Sequence, residues 1–200
     1  LVIVAAALAA SVSGVVAARA LRRRKKALPP ALEPPEEEPK AEEPDHFAGL
    51  IARVGDVIQF GDDTRWPSAA ILWRSDGEVV GATLLSREGT SDQCTVVFRA
   101  PDRHILWLER KELSLPPTPP SRLDVDGTLL DRISLRPLDL ERVGNSAPDV
   151  GDSGNVAVYR GSMGDAALVI TGRTLLAYHG SWVVEGDYDC LGQVPEEEEP

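Results

Sequence analysis

The sequence predicts an all-β fold, in the form of a small antiparallel barrel or sandwich-like domain. From Leu50 onward, short apolar runs recur at intervals of about 8–12 residues, a spacing typical of β-barrels and β-sandwiches. Turn residues such as Gly61-Asp62-Asp63 and Gly180-Ser181 separate these runs. No stretch of this part of the sequence has a long apolar repeat of 3.6 residues, so we do not predict an amphipathic helix.

Each predicted strand is a run of aliphatic, β-branched or aromatic residues that ends at turn residues. The clearest is Cys94–Ala100, in which Cys94, Val96 and Phe98 share one face. The predicted strands in the first part are Val54–Phe60, Ala69–Arg74, Glu78–Leu85, Cys94–Ala100 and His104–Glu109. Those in the second part are Arg122–Val125, Thr128–Ile133, Asp139–Val143, Val156–Arg160, Ala166–Thr171, Leu175–His179, Trp182–Glu185 and Tyr188–Leu191.

A proline-rich segment, 115–121, lies between the two groups of strands. It is either a boundary between two small β lobes, 47–114 and 122–194, or a loop that crosses one β domain. An acidic tail with four consecutive glutamates, 195–200, follows the second group, and we expect it to be solvated.

The chain opens with an uncharged run rich in alanine, valine and leucine, Leu1–Ala18. As a helix, about 18 residues span roughly 27 Å, close to the thickness of a bilayer core. Because the basic charge follows this run, the positive-inside rule predicts a transmembrane anchor over residues 1–26, with the folded domain in the cytoplasm. The alternative is a secretory signal peptide cleaved near Ala18-Arg19-Ala20, although signal peptides carry their charge before the apolar run.

Basic residues follow the predicted span at the level of the lipid headgroups. We expect them to bind anionic lipid headgroups, at about 1 kcal/mol per charge. They are Arg22, Arg23, Arg24, Lys25 and Lys26.

Residues 27–46 are rich in proline and glutamate and have no apolar face. Proline opposes helix formation and like charges repel, so we predict a disordered linker. When extended, it would hold the next domain up to about 60 Å from the membrane.

The folded part of the chain is acidic. The whole chain has 21 lysines and arginines against 32 aspartates and glutamates, a net charge of −11. Six of the basic residues lie in 1–26, so the rest of the chain is more acidic still. An acidic surface repels phosphate backbones, and we therefore expect no nucleic-acid partner.

Two cysteines, Cys94 and Cys190, are too few for a disulfide scaffold or a zinc ribbon. In the cytoplasm we expect two reduced thiols, whereas in a secreted protein the two could pair. The three histidines are scattered along the chain, so no metal site and no cofactor are predicted.

The order of several short motifs resembles the bacterial family called domain of unknown function 4178. The motifs are Val54-Gly55-Asp56-Val57-Ile58, Leu106-Trp107-Leu108-Glu109, Val125-Asp126-Gly127 and Val156-Ala157-Val158-Tyr159-Arg160. The resemblance covers Val54–Gln193. It implies a β-rich module without established catalytic residues, with an uncharacterised role that is often exercised alongside membrane proteins.

The segment from Asp124 to Asp131 resembles the first motif of haloacid-dehalogenase-type phosphatases, and the segment around Asp152 resembles their magnesium-binding motif. The resemblance implies Asp124 as nucleophile, Asp126 as general acid and base, and Asp152 as magnesium ligand. However, Asp124 and Asp152 are only 28 residues apart, whereas a doubly wound sheet needs several βα units of about 30 residues between them. We therefore predict that Asp126-Gly127 is a β-hairpin turn.

The sequence Gly151-Asp152-Ser153-Gly154 also resembles the nucleophile loop of chymotrypsin-like proteases. A catalytic triad needs a histidine base and a buried aspartate brought together by two β-barrels. His46 and His104 precede Ser153, but neither lies in the sequence context typical of those enzymes. We predict a loop between strands instead.

Four tryptophans are candidates for an aromatic binding surface. Trp73 and Trp107 lie inside apolar strands, where large aromatic side chains usually fill the core. Trp66 and Trp182 border turns and are the better candidates for the surface.

Two functional hypotheses remain. The favoured one is a single-pass membrane protein whose β-rich domain is a non-catalytic interaction module with a protein partner. The alternative is a metal-dependent phosphohydrolase that uses Asp124 and Asp126. The fold separates them, because the phosphatase needs parallel strands alternating with helices.

Overall fold

The computed structural model describes residues 45–88, 91–99 and 103–192, and these residues contain strands but no helix. The twelve strands are β1 Val57–Phe60, β2 Asp63–Arg65, β3 Ala69–Ser75, β4 Glu78–Glu88, β5 Ser91–Phe98, β6 Ile105–Lys111, β7 Arg122–Val125, β8 Thr128–Val143, β9 Ser153–Arg160, β10 Asp165–Thr171, β11 Leu175–Val183 and β12 Tyr188–Leu191. The predicted all-β class is confirmed.

Eight of these strands close into an antiparallel barrel. Their order is β3, β4, β5, β6, β11, β10, β9 and β8, and β8 returns to pair with β3. The three-stranded sheet β12-β1-β2 packs outside the barrel. The two predicted ranges 47–114 and 122–194 both supply strands to this barrel, and residues 115–121 connect them.

Strand β8 is 16 residues long and changes partners along its length. One edge pairs with β9 from Asp131 to Asp139. The other edge pairs with β7 as far as Asp131 and with β3 from Asp139 onward. Between those two partners, residues 133–138 have no strand beside them on that edge among the described residues.

A β-bulge between Arg132 and Ser134 reverses which β8 side chains face the barrel interior. Before the bulge, Leu130 packs in an outer cluster with β7 and β9. After it, Leu138 and Leu140 pack in the inner cluster. Because side chains alternate along a strand, one extra residue is enough to produce this reversal.

Three apolar clusters hold the layers together. The inner cluster fills the barrel with residues such as Leu106 and Leu168. A second cluster lies between the barrel and the small sheet, where Ile58 and Phe60 share the buried face of β1. The third lies under β7 and the proline-rich segment, and there the Tyr159 hydroxyl donates a hydrogen bond of 2.8 Å to the Pro120 carbonyl.

Arg65, at the end of β2, joins the small sheet to the barrel and is only 1% exposed. Its Nη1 donates to the carbonyls of Cys94 at 2.6 Å and Leu108 at 3.0 Å. Its Cζ lies 3.8 Å from the ring centre of Trp107, whose Nε1 donates to Asp63 at 3.0 Å. These contacts offset the cost of burying a guanidinium group.

Two strand predictions were wrong because each divided one strand in two. Strand β8 runs through residues 134–138, including Pro137, which separate the predicted strands Thr128–Ile133 and Asp139–Val143. Proline is tolerated there because one edge of β8 has no strand partner beside residues 133–138. Strand β11 runs through Gly180-Ser181, which was read as a turn. Gly180 is needed inside the strand because a Cβ there would collide with the Trp107 carbonyl oxygen.

One strand was missed altogether. Asp63 was expected in the turn after the first strand, but it begins β2. Three residues are too few to show an alternating pattern, so the sequence carries no signal for this strand.

The predicted anchor over 1–26 and the predicted acidic tail over 195–200 lie outside the described residues, as does the predicted linker except for its last two residues. Of those two, His46 places its Nδ1 3.1 Å from a carboxylate oxygen of Glu141. In the part of the chain that the structure describes, no helix is long and apolar enough to span a bilayer.

Candidate functional site

A cavity of about 310 Å³ opens at one end of the barrel, where β5 ends and β6 begins. Its volume is near the lower limit of typical ligand sites, which is about 300 Å³. Most of its wall is an extension of the inner apolar cluster. The apolar lining residues are Trp73, Val80, Phe98, Ile133, Leu138, Val156, Val158 and Trp182.

Stacked rings form one side of this cavity. His104 and Trp182 stack with their ring centres 4.3 Å apart and their planes at 22°. Phe98 lies 5.0 Å from His104 and meets Trp73 edge to face at 5.9 Å. Aromatic pairs in these arrangements are mutually stabilising, so the cavity wall is preorganised.

Gly81 gives Trp73 the room that it occupies at the cavity. A Cβ at position 81 would lie 2.9 Å from Cε3 of Trp73 and 3.0 Å from the Val97 carbonyl oxygen. Any other residue at this position would displace the indole ring or the neighbouring strand. Gly81 therefore fixes the shape of the cavity.

The rim of the cavity is positively charged, unlike the protein as a whole. Arg99 and Arg136 line it, and no carboxylate does so among the described residues. Arg160 adds a third guanidinium group, with its Cζ 4.9 Å from the ring centre of Trp182. Arg99 is paired with Glu78 at 3.3 Å, whereas Arg136 is exposed and has no carboxylate partner in the described part of the chain. An anionic group is therefore the complement of this rim.

Among the described residues, the part of β8 that has a strand partner on one edge only borders the cavity. Ile133, Ser134, Arg136 and Leu138 all line it, and all lie in the segment of β8 between its pairing with β7 and its pairing with β3. The cavity is thus open at the mouth of the barrel and lies beside an exposed strand edge. Such an arrangement can hold a ligand group and also present backbone hydrogen-bonding groups next to it.

The phosphatase-like motif forms the hairpin turn between β7 and β8, as predicted. Asp126 and Gly127 both have positive φ, 53° and 86°, and the Asp124 carboxylate accepts a hydrogen bond of 2.9 Å from the Gly127 amide. Asp126 forms an ion pair of 2.9 Å with Lys111. That partner lowers the pKa of the Asp126 carboxyl, so Asp126 is ionised near neutral pH.

The structure does not bring Asp152 near this turn. Asp124 is opposite Leu129 at the start of β8, whereas the Asp152 carbonyl accepts a hydrogen bond from the Leu140 amide near its end. The intervening strand is roughly 35 Å long at 3.3 Å per residue. The three aspartates therefore do not form a common phosphate and magnesium site in this fold.

The protease-like motif is likewise dispersed. Ser153 is exposed at the start of β9, opposite Asp139. His46 contacts Glu141 and His104 lies in the aromatic wall of the cavity. Neither histidine hydrogen-bonds to Ser153 in the described part of the chain, so no histidine base is aligned with this hydroxyl.

The predictions for Trp73, Trp107 and Trp66 are confirmed, whereas Trp182 was expected beside a turn and lies inside β11. Trp73 and Trp107 are buried, at 3% and 8% exposure, and Trp66 is exposed at 58%. Trp182 is half-buried and is the surface candidate that belongs to the cavity.

The two cysteines are not bonded to each other. Cys94 points into the inner cluster, whereas Cys190 packs in the cluster between the barrel and the small sheet, so the barrel wall separates them. Burial raises the pKa of the Cys94 thiol, and burial together with the Asp56 carboxylate raises that of Cys190 to about 11. Both thiols are therefore protonated at neutral pH, which makes them poor nucleophiles.

No group of three or more histidine, cysteine, aspartate or glutamate side chains that could hold a metal ion occurs within residues 45–88, 91–99 and 103–192. Comparison with protein-family models, with curated proteins and with solved structures finds no match for this chain.

Sequence reasoning missed most of the cavity. It proposed Trp182 for the surface, but it gave no role to Arg99, Arg136 or Phe98 and considered His104 only as a catalytic base. These residues come from strands that are distant in sequence and meet only when β8 closes the barrel. A weak signal was available in Phe98-Arg99, where an aromatic residue and a cation end one strand together.

We predict that Cys190 is alkylated with a pH midpoint of about 11 in the folded protein, above the ordinary value of 9.0. The rate follows the thiolate fraction, and burial and the Asp56 carboxylate disfavour the thiolate. Asp56→Asn should lower the midpoint because it removes one of these causes. Iodoacetamide labelling followed by peptide mass spectrometry measures Cys190 separately from Cys94. A wild-type midpoint of about 9 would contradict this account of the thiol.

Proposed function

We propose that this chain is a non-catalytic binding module carried by a single-pass membrane protein, and that the cavity at the barrel mouth is its binding site. The observation that carries the proposal is the cavity itself, an aromatic, preformed space with cationic groups on its rim. Preformed apolar cavities with a few placed polar groups are typical of ligand sites.

The composition of the cavity defines the kind of group that it accepts. The stacked rings and aliphatic side chains complement a flat apolar body, and Arg99, Arg136 and Arg160 complement a negative charge attached to that body. We infer that the ligand presents an apolar group next to an anionic one. A partner protein supplies both in a short acidic segment that contains one aromatic or aliphatic residue.

The non-catalytic assignment is supported by how the reactive side chains are used. Asp124 caps the hairpin turn and Asp126 pairs with Lys111, so both carboxylates have structural partners. Both thiols are held in the protonated form by burial. None of these groups lies in the cavity.

Attachment to the cytoplasmic face of a membrane completes the proposal. It is motivated by the apolar run Leu1–Ala18 and the basic residues that follow it, and the resemblance to domain of unknown function 4178 is consistent with such a setting. Tethering raises the local concentration of a weakly binding domain near partners in the same membrane. The proline-rich linker would set the reach of the domain.

The cavity proposal predicts binding of 8-anilinonaphthalene-1-sulfonate, a flat aromatic anion. Dye fluorescence should rise on binding, and Arg136→Glu should weaken binding by about tenfold, which corresponds to about 1.4 kcal/mol for an interaction near the surface. Ser134→Trp should abolish binding because the indole fills the cavity. The measurement is a fluorescence titration at physiological salt.

The matched control is Arg142→Glu, a charge reversal on the same strand at a position that pairs with β3 and does not line the cavity. It should bind the dye as the wild type does. Circular dichroism and thermal denaturation establish that each variant is folded. If Arg136→Glu and Ser134→Trp bind the dye as tightly as the wild type, the cavity is not the binding site.

The membrane proposal predicts the side on which the domain lies. A reporter that is active only in the cytoplasm should function when it is fused after Gln193, because the basic residues after the apolar run favour retention on that side. Activity of a reporter that works only outside the cytoplasm would instead support the signal-peptide interpretation.

A further inference from the structure

We propose that the unpaired edge of β8, Ile133–Leu138, binds an extended acidic segment of a partner protein as an additional antiparallel strand. The side chains on one face of the bound segment would enter the mouth cavity. The inference rests on the proposed function, because it names the partner class for that same cavity. We refer to the space beside Ile133–Leu138, between the ends of β7 and β3, as the edge slot.

The edge slot has the backbone groups that strand addition requires. In an antiparallel strand, alternate residues direct their N–H and C=O groups to opposite edges. On one edge of β8, the backbone N–H and C=O groups from Asp131 to Asp139 pair with β9. On the other edge, the alternate groups of residues 133–138 have no strand partner in the described part of the chain, and Pro137 contributes a carbonyl there but no N–H. Such groups are the template on which extended peptides add to a sheet.

The neighbours of the edge slot fix the length and direction of an added strand. Both β7 and β3 run antiparallel to β8, and the slot lies in line with them. Six residues of β8 border it, so the slot is about 20 Å long and accepts about six residues. An antiparallel segment would begin near Leu138, at the β3 end, and would leave near Ile133, at the β7 end.

The same neighbours disfavour a second copy of the protein as the occupant. The slot is bounded at one end by Ser121, whose carbonyl accepts from the Arg132 amide, and at the other by the turn after Ser75. A strand that belongs to a second folded copy would bring its neighbouring strands against both boundaries. A single extended segment has no neighbouring strands to accommodate. Arg136 also opposes pairing with another β8, because the two Arg136 side chains would repel.

The mouth cavity supplies specificity beside the backbone contacts. Side chains of a strand alternate between its two faces, so every second residue of the segment would point towards the cavity. Ile133 is 54% exposed and lines the cavity, so an apolar residue next to it would cover surface that is now in contact with water. One aromatic or aliphatic residue is therefore expected near the middle of the segment.

The charges around the edge slot define where the acidic residues of the segment belong. Arg99 and Arg136 lie at the cavity and Arg160 lies beside it. Asp76 and Asp139 lie at the β3 end of the slot together with Arg74, which is paired with Glu141. Acidic residues would therefore occupy the middle and the C-terminal half of the segment.

The probe is a capped eight-residue peptide whose four cavity-facing positions are valine, tryptophan, glutamate and glutamate in chain order, and whose other four positions are threonine. A fluorophore on this peptide reports binding by anisotropy. The edge-slot proposal predicts binding that Arg136→Glu weakens at least about tenfold and that Arg142→Glu leaves unchanged. The same peptide with lysine in place of glutamate should bind at least about tenfold more weakly.

Backbone pairing is tested by two further peptides, each N-methylated on one of the two sets of alternate amides. In an added strand only one set faces β8, so one peptide should lose binding at least about tenfold and the other should keep it. If both N-methylated peptides bind as well as the parent, the segment does not add as a strand and the proposal is wrong. Equal binding of the glutamate and lysine peptides would also overturn it.

The dye titration separates this proposal from the cavity proposal. If the dye binds with the predicted dependence on Arg136 and Ser134 but none of the peptides binds, the cavity is a ligand site and the edge-slot proposal is wrong. If the parent peptide binds and Ser134→Trp abolishes its binding while the dye does not bind, the cavity receives the side chains of the segment and the edge-slot proposal stands. If Ser134→Trp leaves peptide binding unchanged and the dye does not bind, the cavity proposal fails and the edge-slot proposal fails with it.

Discussion

The pairing of β8 with β9 on one edge and with β7 and β3 on the other is the interaction on which the rest of this structure depends. It joins the two ends of the sheet into a barrel and encloses the inner apolar cluster. It also determines where the barrel is open, because β7 and β3 leave residues 133–138 uncovered on their edge. The bulge after Arg132 then turns the following side chains towards the interior. The pairing of β8 therefore both closes the barrel and forms the candidate site.

The outer layers stabilise this barrel without covering its mouth. The small sheet is held by an apolar cluster and by Arg65, which joins the carbonyls of Cys94 and Leu108 on two neighbouring barrel strands. On another part of the barrel, β7 and the proline-rich segment cover Tyr159 and its neighbours. Burial on both sides explains why many barrel strands are apolar throughout rather than alternating. The exposed parts of the barrel are accordingly its ends and the uncovered stretch of β8.

The fold class followed from the sequence because strand spacing and turn chemistry are local properties. The hairpin at Asp126-Gly127 and the burial of Trp73 followed for the same reason. The continuity of β8 through Pro137 did not, because proline usually ends a strand and is tolerated here only where an edge lacks a partner. The cavity did not follow either, because Arg136 and Phe98 are brought together by barrel closure rather than by sequence proximity. Pairings between distant strands leave almost no signal in a single sequence.

The central claim is that, within the described part of the chain, residues 133–138 of β8 are paired on one edge only, whereas a barrel strand such as β10 is paired on both edges. Residue-resolved amide hydrogen exchange of the ligand-free protein tests it most directly. We expect protection to alternate across residues 133–138, since amides bonded to β9 should exchange at least about tenfold more slowly than those facing the open edge. Across residues 166–170 of β10, which have β9 on one edge and β11 on the other, the alternation should disappear or be much weaker. Uniform protection across 133–138 would show that the edge is covered and would contradict the account.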